Sequence, residues 1–263
     1  MGIDFVKMQG TGNDFVLLDQ KEEAIDLSQQ QIALICHRRF GIGADGLLIL
    51  RSSAEVDFEM LYYNADGAPS SMCGNGGRCI VKYAFDQGYI GSKSEFLAPD
   101  GIHKARVMND EISLEMQNVS EVTVNIQDYT LDTGSPHYVT FVKSLSTLNV
   151  TKAGRQVRNS DQFKKEGINV NFVELMGANK LFVRTYERGV EDETLSCGTG
   201  VTAAAIAAQL KQGIGSTGDW NISAKGGELR VSFKFEQGLF SQVELHGPAA
   251  YVFTGVFELN VNS

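Results

Sequence analysis

Two short stretches of this chain nearly repeat each other, and that repetition constrains its fold more than any other feature. Residues 71–79 read SMCGNGGRC and residues 196–205 read SCGTGVTAAA. Each sets a cysteine before Gly-x-Gly at what reads as a helix start, and Cys197 follows Cys73 by 124 residues. Two further features recur at nearly the same spacing. Tyr63-Asn64-Ala65-Asp66-Gly67 precedes the first cysteine and Tyr186-Glu187-Arg188-Gly189 the second, 123 residues apart. Thr11-Gly12-Asn13-Asp14-Phe15 is answered by Thr133-Gly134-Ser135-Pro136-His137 at 122 residues. Three matches in one order at one spacing point to a duplicated architecture.

The 263 residues are enough for one large domain or two smaller ones, each with its own core. A net charge of −9 argues against nucleic acid or an anionic membrane surface as a partner. No apolar run reaches the roughly 20 residues that span a bilayer, and MGIDFVKMQG lacks the build of a signal peptide. The opening Met-Gly is not read as a myristoylation signal, because Val6 stands where Ser or Thr is needed. Four cysteines with no export signal read as reduced thiols, and the expected location is the cytoplasm.

Strand patterns dominate. DFVLLD, GLLIL and FEMLYY carry β-branched and aromatic residues, and three hairpins are predicted. They turn at Asn109-Asp110, near Gly177-Ala178-Asn179 and at Gln237-Gly238. One helix is expected after each Cys-Gly-x-Gly. The first runs from about Gly76 to Gln87, with Ile80, Val81, Ala84 and Phe85 on its buried face and Gly88 as its stop. The second runs from about Gly200 to Gln212, is apolar nearly all round, and therefore belongs in a core. The predicted class is α/β (α+β) with two similar halves, each a curved, mostly antiparallel sheet around one buried helix. The boundary region is read around DYTLDTGSPH, near residue 130.

A cysteine at a helix start is chemically special. The first-turn amides lack intrahelical partners and favour an anion, which lowers a thiol's pKa and equally suits a substrate carboxylate. One such site implies a reactive thiol; two in related positions imply paired acid–base chemistry. If the halves close on each other, one thiolate removes a proton from a carbon and the opposite thiol returns one to the other face. That describes a cofactor-independent racemase or epimerase. Cys36, in IALICHRRF, and Cys79 are read as packing residues. A zinc site lacks close cysteine pairs, a redox dithiol lacks C-x-x-C, and oxidation of facing thiols would be inactivation.

The same residues carry a resemblance to the diaminopimelate epimerase family. GTGNDFV at 10–16, GIGADG at 41–46, NADG at 64–67, MCGNGGRC at 72–79, INVNFV at 168–173, YERG at 186–189 and SCGTG at 196–200 occur in that family's order, almost end to end. The resemblance implies interconversion of LL- and meso-diaminopimelate with no pyridoxal phosphate, other cofactor or metal, supplying lysine and peptidoglycan synthesis. It implies pseudo-symmetric halves at 1–118 with 252–263 and at 119–251, VFTGVFELNV being the strand that returns to the first half, and a homodimer. Cys73 and Cys197 resemble the acid–base pair. Gly74, Asn75, Gly198 and Thr199 resemble the groups that receive the carboxylate at the reacting centre. Asn13, Asn64, Asn169, Glu187 and Arg188 resemble the remaining substrate contacts. Out of context the asparagines would be read as turn formers, and Glu187 with Arg188 as an exposed ion pair.

There are departures from the family. Ser135 stands where many relatives carry Asn in G-N-P-H, and Gly46 where many carry Gln. Both concern binding of the distal end of the substrate rather than the reaction. His137 is read either as tuning a thiol or as a core histidine. Proline or hydroxyproline racemases share the two-cysteine logic but typically have His at the Asn75 position. Phenazine-type isomerases share the fold but not the cysteine pair. A non-catalytic amino-acid-binding relative would need neither thiol.

Overall fold

Alternating burial starts the chain as a strand, the signature of a sheet with one face against a core. The computed structural model describes residues 2–70, 72–109, 111–213 and 215–259. The chain divides into two units, Met1–Leu114 with Pro248–Ser263, and Glu115–Gly247. The first unit begins β1 (Gly2–Gly10), β2 (Asn13–Gln20), α1 (Gln29–Cys36), β3 (Gly46–Arg51) and β4 (Phe58–Asn64). It continues with α2 (Gly74–Asp86), β5 (Lys93–Ala98), β6 (Gly101–Met108) and β7 (Glu111–Glu115). The second unit holds β8 (Val122–Val124), β9 (Asp128–Asp132), β10 (Pro136–Phe141), α3 (Val150–Arg158), β11 (Asn169–Gly177) and β12 (Lys180–Glu187). It ends with β13 (Asp192–Thr194), α4 (Gly198–Gln212), β14 (Thr217–Ala224), β15 (Gly227–Glu236) and β16 (Leu239–Pro248), before β17 (Ala250–Glu258) returns to the first unit.

The strand pairings repeat. In the first unit β17–β1 and β1–β2 are antiparallel, β2–β3 parallel, β3–β4 antiparallel, β4–β5 parallel, and β5–β6 and β6–β7 antiparallel. In the second, β8–β9 and β9–β10 are antiparallel, β10–β11 parallel, β11–β12 antiparallel, β12–β14 parallel, and β14–β15 and β15–β16 antiparallel. Direction for direction, the two series are the same. The helices fall at the same points, one between the third and fourth strands of each series and one before the sixth. The expected fold class, a mostly antiparallel sheet around a buried helix in each half, is the one observed.

Each unit has an inner and an outer core. Around α2 pack Phe15, Leu48, Met60, Phe96, Ile112 and Leu114, with Phe58 and Phe96 stacked at 5.1 Å. Around α4 pack Val139, Val173, Trp220, Val231 and Leu245. The run of alanines on α4 keeps that helix thin, so the strands approach closely on all sides; ten of its residues from Gly200 to Gln209 are buried. Gln209 satisfies the polar atom this brings inside by accepting from the Trp220 indole N–H at 3.0 Å. The outer cores lie under α1 and α3. The amphipathic pattern around Cys36 gives α1, but the helix stops there, and His37 to Phe40 lie outside it.

Both central helices begin two residues earlier than the glycines alone predict, because the cysteines themselves are the N-caps. Gly88 (φ 72°) and Gly213 (φ 63°) end them in the left-handed region, as expected. Phe85 is not on the buried face of α2; it is 37 % exposed, and Cys79 and Tyr83 are buried instead. The hairpin turns at Asn179 (φ 52°) and at Gln237-Gly238 (φ 51° and 81°) have the positive angles such turns need. Asn109 (φ 55°) does too, while its partner Asp110 lies outside the described residues. DYTLDTGSPH forms β9 and the start of β10. The end of the expected VFTGVFELNV strand, residues 260–261, lies outside the described residues. α3 has no counterpart among the predicted elements: it is mostly polar and buries only Val150 and Gly154. Gly154 is there because a Cβ would lie 2.3 Å from Tyr186 Cβ.

Candidate active site

In the first unit, Cys73 caps α2 through its backbone, without a side-chain capping bond. The first helical bond runs from Gly77 N–H to the Cys73 carbonyl at 2.7 Å, so the first-turn amides have no acceptor within the helix. Beside the thiol stands Asn13, at the tight turn between β1 and β2 where Thr11 (φ 49°) and Gly12 (φ 85°) reverse the chain. Its Nδ2 donates to Asp45 Oδ2 at 2.7 Å, which fixes the amide and turns Oδ1 inward. That oxygen accepts from Asn75 Nδ2 at 3.2 Å and from the Cys73 thiol at 3.7 Å.

Asp45 is itself held. Arg38 Nη2 bridges Asp14 Oδ1 and Asp45 Oδ1, each at 2.7 Å, and Lys7 pairs with Asp14 at 2.7 Å while donating to the Gly43 carbonyl. Burial works against the Asp14 carboxylate. Hydrogen bonds and charge from Arg38 and Lys7 outweigh it and hold the group well below the usual carboxylate range. Behind Asn75, Arg78 is fully buried and donates to neutral acceptors: Gly74 O, Asn75 Oδ1, Thr11 Oγ1 and Pro248 O. Burial works against its charge, and the nearby Cys79 and Cys73 favour that charge when they are ionised.

Asn64 ends β4, and its backbone frames a turn in which Gly67 N–H donates to Asn64 O and Asn64 N–H to Ala68 O, both at 2.9 Å. The place for a side chain at 46 is already taken: a Cβ there would meet Tyr62 Cε2 and Tyr63 O, each at 2.6 Å. The Tyr62 ring therefore fills the space that a side chain at position 46 would need.

In the second unit, Cys197 caps α4 in the same way, with Val201 N–H bonded to its carbonyl at 2.9 Å. Its Sγ lies 3.5 Å from Thr199 Oγ1, which lies 3.2 Å from Ser135 Oγ. Ser135 Oγ is 3.0 Å from His137 Nε2 and accepts from Asn169 Nδ2 at 3.2 Å. His137 is fully buried, and its Nδ1 meets Asn171 Nδ2 at 3.0 Å. Burial, then the positive charge of Arg188, pushes the imidazole down to about 3, so His137 is neutral at pH 7. Asn169 Oδ1 accepts the Arg188 backbone N–H at 2.9 Å, and Arg188 Nη1 reaches Glu166 O at 3.2 Å. Glu191 ties the loop after β12 by accepting from Gly189 N–H, Tyr186 OH and Arg158.

The structure thus gathers Asn13, Cys73, Gly74 and Asn75 at one helix start. It gathers Ser135, His137, Asn169, Arg188, Cys197, Gly198 and Thr199 at the other, with Glu187 next to Arg188 on the chain. Sequence reasoning did not single out Asp45, Arg78 or Asn171. Asn171 had a readable signal: it is two residues from Asn169 on a strand, hence on the same face. Cys36 and Cys79 are core residues, and burial pushes both thiols up to about 12. All four cysteines are free thiols.

Comparison with known proteins gives the site its context. The profile of the family described as diaminopimelate epimerase matches residues 5–122 and 129–252. A diaminopimelate epimerase of Flavobacterium psychrophilum is 48% identical over 251 residues, covering 94% of this chain and 97% of its own. The chain belongs to the diaminopimelate epimerase family. The diaminopimelate epimerase of Chlorobaculum tepidum is 39% identical, over 96% of this chain and 100% of its own. Among solved structures, a PhzF-family phenazine biosynthesis protein of Bacillus anthracis aligns with a TM-score of 0.78 at 12% identity, covering 98% of this chain and 100% of its own. A hydroxyproline epimerase of Agrobacterium vitis aligns at 0.72 and 11%, covering 99% and 94%. At such identities these neighbours share the fold alone. The fold does not separate the epimerase family from its two rivals, whereas the sequence does.

Proposed function

We propose that this chain is an isomerase that interconverts LL- and meso-2,6-diaminopimelate without a cofactor, Cys73 and Cys197 acting as its two acid–base groups. One thiolate takes the α-proton and its electron pair stays on carbon, the negative charge spreading into the adjacent carboxylate. The other thiol returns a proton to the opposite face and leaves as thiolate. The single observation that carries this reading is the pair of cysteines capping the two equivalent central helices of a duplicated fold.

The remaining roles follow from chemistry. Amides at Gly74, Asn75, Gly198 and Thr199 stabilise the carboxylate as charge builds on it. Asn13, Asn64, Asn169, Glu187 and Arg188 bind the rest of the amino acid, Arg188 through its planar fork and Glu187 through an ammonium. Ser135 and Gly46 alter the distal contacts. The reaction supplies meso-diaminopimelate for lysine and peptidoglycan synthesis. Its setting is the cytoplasm, consistent with free thiols and with the absence, among the described residues, of a helix long and apolar enough to cross a membrane. The working form is a homodimer, as in the family it resembles.

The test incubates LL-diaminopimelate with the protein in D2O. Equilibration with the meso form and one deuterium at the inverted α-carbon are expected. Inversion of proline or hydroxyproline with no turnover of diaminopimelate would replace this reading with the racemase.

A further inference from the structure

The hydrogen bonds beside Cys197 have a direction that proton counting fixes. Asn171 Nδ2 must donate to the Tyr138 carbonyl at 3.1 Å, since an oxygen there would face an oxygen, and Thr185 Oγ1 bonds Asn171 Oδ1 at 2.9 Å. The second hydrogen of that amide points at His137 Nδ1, which is therefore the acceptor nitrogen. A neutral imidazole then carries its proton on Nε2 and donates to Ser135 Oγ. Asn169 also donates to Ser135 Oγ, its orientation fixed by the Arg188 backbone N–H on its carbonyl oxygen. With both lone pairs of Ser135 engaged, its own hydrogen goes to Thr199 Oγ1, and the Thr199 hydrogen is left to point at Cys197 Sγ.

We propose that Asn171, His137, Ser135 and Thr199 form a one-way hydrogen-bond relay that delivers a donor to Cys197 Sγ and so biases this cysteine toward the thiolate. Ser135 and Thr199 are then positioning residues for the reacting sulfur, Ser135 because a single hydroxyl oxygen accepts two bonds and passes one on, whereas an asparagine amide divides those roles between two atoms. The inference rests on the reading of Cys197 as an acid–base group. The titratable and charged groups from the strands against this helix start are His137 on β10, Asp132 at the end of β9, which accepts from Gly134 N–H at 2.8 Å, and, at and just after the end of β12, Glu187 and Arg188; β11 brings the amides of Asn169 and Asn171. Burial, and after it the charge of Arg188, keeps His137 neutral, which the relay requires. In the other unit the Cys73 thiol meets the opposite polarity, an Asn13 oxygen that accepts.

The experiment needs no substrate and so stands or falls separately from the diaminopimelate assay. Full-length protein labelled with β-13C cysteine is titrated by NMR, with Cys73 as the internal control and Cys197→Ala to assign the signals. In Thr199→Val the Cys197 midpoint is expected to rise by about one pH unit, a tenfold loss of thiolate at fixed pH, as a single lost donor to a thiolate would produce. Ser135→Ala should raise it by about half as much, because Thr199 keeps its hydroxyl but loses its orientation. Thr199→Ser should restore the wild-type midpoint, and Cys73 should not move. An unchanged Cys197 midpoint in Thr199→Val overturns the relay. So does a Cys73 shift as large as that of Cys197, which would mean general loosening. Should Thr199→Val fail to fold, the decision passes to Ser135→Ala against Thr199→Ser. Equal midpoints in those two reject the relay.

Discussion

The two units share a blueprint down to the direction of each strand pairing, yet the starts of their central helices differ in chemistry. In the first unit Asn13 presents an oxygen to Cys73 and to Asn75, and a buried guanidinium sits one turn behind. In the second, Ser135 takes the place of Asn13, Thr199 that of Asn75 and Thr202 that of Arg78. Thr202 Oγ1 donates to the carbonyl four residues back, Gly198 O at 2.9 Å, as Arg78 Nη1 does to Gly74 O at 3.2 Å. The duplicated backbone sets a cysteine and a row of amides without an intrahelical acceptor at each central helix start. The side chains around it diverged, giving one sulfur an acceptor and a cation nearby and the other a chain of hydroxyls. The comparison shows that a symmetric scaffold can hold two thiols in different ionisation environments, which a two-base reaction needs at every turnover.

If the two cysteines are equivalent partners in one reaction, removing either is the largest blow. Cys73→Ala and Cys197→Ala should each lower kcat/KM for epimerisation at least about a thousandfold, within the range for loss of an acid–base group. A variant of either that turns over within tenfold of wild type would break the pairing.

The next effect separates the units. Arg78→Met removes the donor to Asn75 Oδ1, Thr11 Oγ1 and two backbone carbonyls in a site without water access. Urea unfolding should show a loss of about 3 kcal/mol, since hydrogen bonds from a charged donor are worth about 1.5–3 kcal/mol each and the relieved desolvation of the guanidinium offsets part of their loss. A variant as stable as wild type would show that Arg78 is retained for its charge near Cys73 and not for the fold.

Gly76 and Gly200 sharpen the comparison further, because they are equivalent by sequence but not by surroundings. A Cβ at Gly200 would stand 2.4 Å from Asn171 Oδ1 and 3.3 Å from Cys197 Sγ, whereas at Gly76 it would meet the ends of Leu48 at 3.1 Å and Met60 at 3.5 Å and the edge of the Phe15 ring at 3.5 Å. Gly200→Ala is expected to cost about 1–3 kcal/mol by overpacking, and Gly76→Ala under about 1 kcal/mol. Equal costs by denaturant titration would mean that Asn171 is free to move.

The last effect is graded by pH, and no single condition shows more than a part of it. His137 binds its proton less readily when folded, at about 3 against an ordinary 6.5. Between those values the unfolded chain holds more protons, so stability is full above about pH 6.5 and falls on acidification, by at most about 1.4 kcal/mol per pH unit from this group. Asp14 in the first unit has the same sign but acts lower, its contribution being lost only as pH falls below the ordinary carboxylate range near 4. Stability measured from pH 7 to pH 4 should therefore slope in wild type and be flatter in His137→Gln. Parallel curves would place the early acid sensitivity elsewhere.

How much was legible beforehand depended on whether the signal was local. The presence of a helix after each Cys-Gly-x-Gly, the hairpin turns and the stops at Gly88 and Gly213 are set by neighbours in the chain, and they could be read. The onset of α2 and α4 was misread by two residues, because a cysteine cap leaves no pattern of its own. Phe85 was misplaced because a helical face of 3.6 periodicity admits more than one boundary at its edge. α3 was invisible, since its apolar face is little more than Val150 and a glycine, and Tyr186, some 30 residues away, is what it packs against.

By itself the sequence determined that the chain is duplicated, that each copy buries a helix after its Cys-Gly-x-Gly, and which residues resemble the family's site residues. These properties live in spacing and residue type. The tertiary structure decided which way each amide and hydroxyl faces: that Asp45 turns the Asn13 oxygen toward one sulfur, and that His137, Ser135 and Thr199 turn a hydrogen toward the other. A hydrogen bond's polarity depends on partners brought together from β10, β11 and α4. Only folding supplies those neighbours, and burial then forces each of them to be satisfied.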